Sequence, residues 1–185
     1  MLKRFLCVLL VLLCLLSCAQ AEEGDPRKYA YGRDFHWGVS LEEILALLGD
    51  DAVHDEDSEP AIGTMDIVRA QVDAAYGVED VLITVAFFDD ALMMIGFLFP
   101  AEGISDVQVL VDMVSAELGE ANMYGEKVSL MDLIDETKTI CDWKKDDKTE
   151  AELIRESADA GDYILSISNA EVMKMFEERF MESAA

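Results

Sequence analysis

Polar and apolar positions recur along this chain with two different periods, and the switches between them mark out its elements. Leu41, Ile44, Leu45 and Leu48 fall at helical spacing and make one apolar stripe. Ser40 stands where an N-cap hydroxyl can accept a free backbone N–H, and Glu43, three residues on, completes a capping box. Val39 and Ile44 occupy the two positions of a hydrophobic staple, and Gly49 can take the left-handed conformation that ends a helix. A helix this short is stable only when packed against something else.

The next segments change period. Asp50 to Pro60 reads as an acidic solvent loop. Three strands are predicted after it: Ile62 to Val72, Val81 to Phe88, and Leu92 to Phe99, with a turn at 76–80 and a tight connection at Asp89-Asp90. Pro100 and Gly103 break the pattern. Ser105, with Gln108 three residues later, predicts a second capped helix with the stripe Val107, Leu110, Val111, Val114, Leu118 and an end at Gly119. Residues 120–138 have no decisive period, and Ser129 could cap a short helix running to Asp135. Three more strands are expected at Thr139 to Trp143, Ala151 to Ser157 and Tyr163 to Ser168. The chain closes with an amphipathic helix from Ala170 to Met181, carrying Val172, Met175, Phe176 and Phe180.

This order predicts an α+β fold with helices packed on an antiparallel sheet. It would comprise two helix-plus-three-strand units, residues 35–100 and 105–169, and a C-terminal helix. Leu118-Gly119-Glu120 echoes Leu48-Gly49-Asp50, a weak internal repeat within a single domain spanning 35–185.

One hairpin departs from the generic pattern. Val81–Phe88 is apolar on both alternating faces, and so is its return strand: Met93, Ile95, Phe97 and Phe99 oppose Leu92, Met94 and Leu98. A sheet covered on one side only would show a polar second face. Either the C-terminal helix covers that face, which is the commoner arrangement, or it is a docking surface. In the second case Phe87, Phe88, Met93, Met94 and Phe97 are the candidate residues, the methionines supplying adaptable contacts.

The N-terminus changes the picture of location. Lys3 and Arg4, an apolar run from Phe5 to Leu16 and the sequence Ala19-Gln20-Ala21 read as a secretory signal peptide occupying 1–21. The apolar run is too short for a comfortable membrane span. Leu15-Leu16-Ser17-Cys18 also resembles a lipobox, so lipidation at Cys18 competes with simple cleavage after Ala21. The expected location is therefore outside the cytoplasm, secreted or periplasmic, with a lipid anchor as the membrane alternative. Glu22 to Asp34 is polar and reads as a tether.

Charge narrows the partners. The chain carries a formal net charge of −25. Removing residues 1–21 takes away Lys3 and Arg4 and no acid, leaving 12 basic and 39 acidic residues and a net charge of −27. Such a field repels nucleic acid and anionic lipid and favours basic proteins or cations. Hydrophobic content of 52% sets the chain apart from disordered acidic tails.

Catalytic and metal chemistry have little to rest on. The acidic stretch Asp55, Glu56, Asp57, Glu59 hints at calcium, yet Pro60 stands where an EF-hand needs Gly, and no Glu closes the loop. Cys141 is the only cysteine after Cys18, so the processed domain has no internal disulfide, and it reads as a small buried hydrophobe. His36 and Trp37, beside the first helix, read as a core plug before a ligand platform. The sequence shows no G-x-S-x-G elbow, no H-E-x-x-H and no paired-histidine motif. A non-enzymatic protein without cofactor or metal is expected.

Trp37-Gly38 followed by Ser40-x-x-Glu43, together with helix-then-three-strand units over Phe35 to about Asn169, resembles two groups of small exported bacterial proteins. One is the SmpA/OmlA-type outer-membrane assembly lipoproteins. The other is the β-lactamase inhibitory protein family. The resemblance implies a protein binder acting outside the cytoplasm. The expected function is thus a protein-interaction module of the bacterial envelope or exterior. The alternative is a soluble protein binding a small ligand or cation, with the acidic stretch and the apolar core as the source of a site.

Overall fold

The computed structural model describes residues 29–123, 138–156 and 161–183. The signal segment, Cys18 and the helix considered at Ser129 to Asp135 lie outside them. Three α-helices are described: α1 (Leu41–Leu48), α2 (Val107–Leu118) and α3 (Ala170–Ser183). The strands are β1 (Val53–Glu59), β2 (Gly63–Ala75), β3 (Val78–Phe88), β4 (Ala91–Phe99), β5 (Asn122–Met123), β6 (Lys138–Lys144), β7 (Thr149–Arg155) and β8 (Tyr163–Asn169). All eight join one antiparallel sheet in the order β1-β2-β3-β4-β8-β7-β6-β5.

This corrects the expected fold. The chain does not form two helix-plus-three-strand units with helices packed on them. It forms one continuous, sheet-dominated structure in which two four-stranded meanders meet where β4 pairs with β8. The missed strand β1 is the expected acidic loop. All seven of its residues are exposed, so it carries no apolar alternation by which a strand could be read.

The local elements follow their sequence signals closely. The Ser40 hydroxyl accepts the Glu43 N–H at 3.3 Å, and the Glu43 carboxylate accepts the Ser40 N–H at 2.9 Å. The Ser40 N–H, and then the Ser40 hydroxyl donating to the same oxygen, hold the Glu43 carboxyl below its usual range. Gly49 closes α1 at φ 84°. At α2 the expected cap is displaced by one residue. Asp106, not Ser105, accepts the Gln108 N–H at 2.9 Å, and the Gln108 side chain turns forward to Asp112. Asp89 and Asp90 both take positive φ, 46° and 63°, as a two-residue hairpin turn matching the twist of its strands requires.

The core lies mainly on one face of the sheet. Ile44 and Leu48 of α1 and Leu110, Val111, Val114 and Leu118 of α2 pack there against Val81, Ile83, Val85, Ile95, Leu165 and Ile167. At its centre Phe97 meets Phe35, Tyr76 and Phe99 with ring centroids 5.9, 5.3 and 6.1 Å apart. Tyr29, Ala30 and Tyr31 are buried in the same core, so the residues expected to end the tether belong to the folded body. The Tyr76 hydroxyl fixes them: it accepts the Tyr31 N–H at 3.1 Å and lies 3.2 Å from Glu117, to which it donates. Burial, and then the Glu117 charge, push the phenol's pKa well up, so it stays protonated as a donor.

The second face is covered by α3 at one end. A smaller cluster forms there from Ala86, Phe88, Met93 and Val172, with Met65, Met94, Met173 and Phe176 packed around it. Phe176 meets Phe88 edge-on at 5.3 Å. Arg179 lies over the Phe88 ring and donates to Asp89 and to the Ile62 carbonyl, while Lys148 pairs with Glu171 at 2.9 Å near the helix start.

Two consequences are measurable. Phe97→Ala should cost about 3–5 kcal/mol in urea unfolding, against about 0.5 kcal/mol or less for Val109→Ala on the exposed side of α2. The Asp89 carboxyl is held below its usual range, first by the Thr64 N–H and then by Arg179. Its contribution is therefore present above the ordinary carboxylate range and lost as pH falls through the lower folded value. Hydrogen exchange at acid pH should show α3 losing protection before the central strand β4, and Asp89→Asn, which tolerates the turn's positive φ, should reproduce this at neutral pH. Unchanged α3 protection in that variant would show that the Arg179 contact does not hold the helix.

Candidate functional site

Two residues expected at a docking surface, Phe87 and Phe97, are fully buried in the main core. Phe88 and Met93 are buried beneath α3, and Met94 is half-buried at its margin. A β-bulge between Ala86 and Phe87 explains the arrangement of the return strand. Phe87 pairs with Leu92, Met93 is the extra residue, and Ala86 pairs with Met94. Leu92 therefore joins Ile95, Phe97 and Phe99 in the main core, while Met93 and Met94 both serve the α3 cluster. The five residues form a core seam and not a free surface. The C-terminal helix covers this part of the second face.

The face continues beyond α3, where the sequence pointed to the β3–β4 part of its lining but not to the part from β7 and β8. Leu82 pairs with Leu98, Leu98 with Ile164, and Ile164 with Ile154, so one aliphatic row crosses four strands. All four side chains are half-buried. The parallel row Thr84, Gly96, Ser166 is small. Nearer β6 a hollow of about 400 Å³ lies among Asp142, Glu150, Glu152, Ser166, Ser168 and Met173. Leu82 and Leu98 belong to the second apolar face of the hairpin read from the sequence, but only the pairing of β4 with β8 aligns them with Ile164 and Ile154.

At the opposite margin α3 and the β1–β2 hairpin enclose an apolar groove of about 250 Å³. Ile62, Met65, Phe88, Phe176 and Phe180 line it, and Asp57 and Glu59 stand at its rim. Phe180 is 51% exposed, so the groove opens to solvent at the sheet edge. β1 is held to β2 on both faces: His54 Nε2 lies 2.7 Å from the buried Asp66 carboxylate, and Arg69 donates to Asp55 at 2.6 Å. Asp57 and Glu59 have no ion-pair partner among the described residues.

The remaining candidates take structural places. The Trp37 indole N–H donates to the buried Thr149 hydroxyl at 2.8 Å, and its ring lies 5.3 Å from Tyr31; His36 is exposed. Trp37 thus plugs the seam between the N-terminal segment and β7. The acidic residues 55–59 lie on an extended strand, which sends Asp55, Asp57 and Glu59 to one face and Glu56 to the other, so they do not converge on an ion. No group of three or more His, Cys, Asp or Glu placed to hold a metal occurs among the described residues. None of the described helices is long and apolar enough to cross a membrane.

Cys141 is buried in the main core, and burial pushes its thiol up to about 12. At neutral pH it is a thiol, not a thiolate, and thus a poor nucleophile. Iodoacetamide should leave it unmodified in the native protein and label it after denaturation. Rapid stoichiometric labelling of the native state would contradict this placement.

Comparison with known proteins finds no matching family model, curated protein or solved structure.

Proposed function

We propose that this protein is a non-enzymatic, exported protein-interaction module of the bacterial envelope or exterior, and that it engages its partner through the second face of its sheet. The observation that carries this reading is the aliphatic row Leu82–Leu98–Ile164–Ile154, with the open groove on the other side of α3 as a second apolar patch on the same face. A solvent-facing sheet surface would ordinarily be polar, and apolar surface rimmed by polar groups marks an interaction site. Carboxylates border both ends of the face, Glu152 and the Lys144-paired Glu150 on one side and Asp57 and Glu59, unpaired among the described residues, on the other. With a chain charge of −25, they favour a basic protein partner and disfavour nucleic acid. Export rests on the N-terminal signal pattern, with the lipid anchor at Cys18 as its variant, and the likeness to exported protein binders agrees with it.

Site-directed photo-crosslinking in the protein's own cells tests the proposal. A crosslinking amino acid at Leu98 or Phe180 should yield a discrete covalent protein adduct, and the same group at Val109, on the exposed side of α2, should not. Adducts at none of the positions, or equally at all of them, would sink the proposal.

A further inference from the structure

The sheet ends at β1, and every residue of that strand is exposed. Among the described residues nothing pairs with its outer side. Every second residue of such a strand turns its N–H and C=O outward, the geometry that accepts another strand. β1 also borders the groove between α3 and the β1–β2 hairpin. Asp57 pairs with Met65, and Met65 with Phe88, so these three side chains share a sheet face and lead from the edge into the apolar lining.

We propose that β1 accepts a strand from a basic protein partner, and that the partner seats one apolar side chain in the groove against Phe176 and Phe180. The inference rests on the protein-interaction reading and specifies its site and its partner. An added strand places alternate side chains on the face that carries Val53, Asp55, Asp57 and Glu59. Asp55 is already engaged by Arg69, whereas Asp57 and Glu59 meet the newcomer without an ion pair. Lysine or arginine directly opposite them is favourable, and acid opposite acid is not. That sign selects against a second copy of this chain, because β1 laid on β1 sets carboxylates against carboxylates. Main-chain hydrogen bonds supply affinity in such a mode, and the pocket for a protruding side chain supplies specificity. The groove is apolar and opens at the strand's edge, so it takes an aliphatic or aromatic anchor between basic neighbours.

The probe is a ten-residue peptide alternating lysine with valine and carrying one central phenylalanine, titrated into the protein in the form its own cells make. Nuclear magnetic resonance should show shifts confined to β1, Met65 and the end of α3. Affinity should fall about tenfold or more when the lysines become glutamates, and similarly in Asp57→Lys. It should fall by several fold in Phe180→Ala. Both variants change exposed side chains and leave the core intact. Methylating alternate backbone nitrogens of the peptide should abolish binding, because it removes the strand's donors. Undiminished binding by the methylated peptide, no preference for lysine, or shifts centred away from β1 would each overturn the inference. Crosslinked partner adducts at Leu98 that persist unchanged in Asp57→Lys would remove strand addition while leaving the interaction module standing. Adducts at no position would remove both.

Discussion

The arrangement of the whole molecule depends on the packing of rings around Phe97. Its side chain projects from β4, the strand at which the two meanders join, and it is fully shielded from solvent. Phe35 approaches it edge-on from the segment before α1, Tyr76 comes from the turn between β2 and β3, and Phe99 stacks beside it on the same strand. Ring pairs of this kind add specific geometry to a large burial of apolar surface. Tyr76 also carries the polar link of the cluster, accepting from Tyr31 and donating to Glu117 of α2. One group of rings therefore ties the N-terminal segment, the β2–β3 turn and the second helix to the centre of the sheet.

The two faces of the sheet differ because of this centre. The first face is sealed by α1, α2 and the segment from Tyr29, and its core runs across most of the strands. The second carries only the small cluster under α3, whose ends are held by Lys148–Glu171 and Arg179–Asp89. Exposed ion pairs of this sort contribute little each. Most of the helix's hold thus comes from Phe176, Met173 and Val172 filling the space over Phe88 and Met93, with Arg179–Asp89 securing its end. Among the described residues the packing is concentrated on one face, and the other is covered by α3 over only part of its area.

What the sequence revealed follows the range of the forces involved. The capping box at Ser40 and Glu43, the Asp89-Asp90 turn and the β3–β4 hairpin are local, and each formed where its residues predicted. The cap of α2 moved from Ser105 to Asp106 because two adjacent residues could both accept the helix N–H, and the pattern does not rank them. The sheet assembly was not legible. β1 lacks alternation because neither of its faces is covered, and the pairing of β4 with β8 joins residues some seventy positions apart. The docking residues were misplaced for a related reason. Strict alternation assigned Met93 to the side of Ile95 and Phe97, and the bulge at Ala86/Phe87 moved it to the other. Tyr29 to Tyr31 read as tether because the polar residues before them hid how far the core reaches.

On the strand-addition proposal, the acidic character of the edge serves two ends that conflict in most edge strands. An uncovered strand is a template for pairing with any other, including its own copies. Charge on both faces of β1 opposes self-pairing, since His54 and Asp55 are committed to β2 while Glu56, Asp57 and Glu59 remain outward carboxylates. A strand blunted in this way by lysine would reject basic partners; one blunted by acid rejects acidic partners and its own kind, and leaves basic strands as the complementary class. The apolar groove beside it would be a liability on a neutral edge, open to any hydrophobic segment. Under the strand-addition proposal Asp57 and Glu59 make it selective, because a ligand must then bring an apolar side chain and positive charge together to fill it.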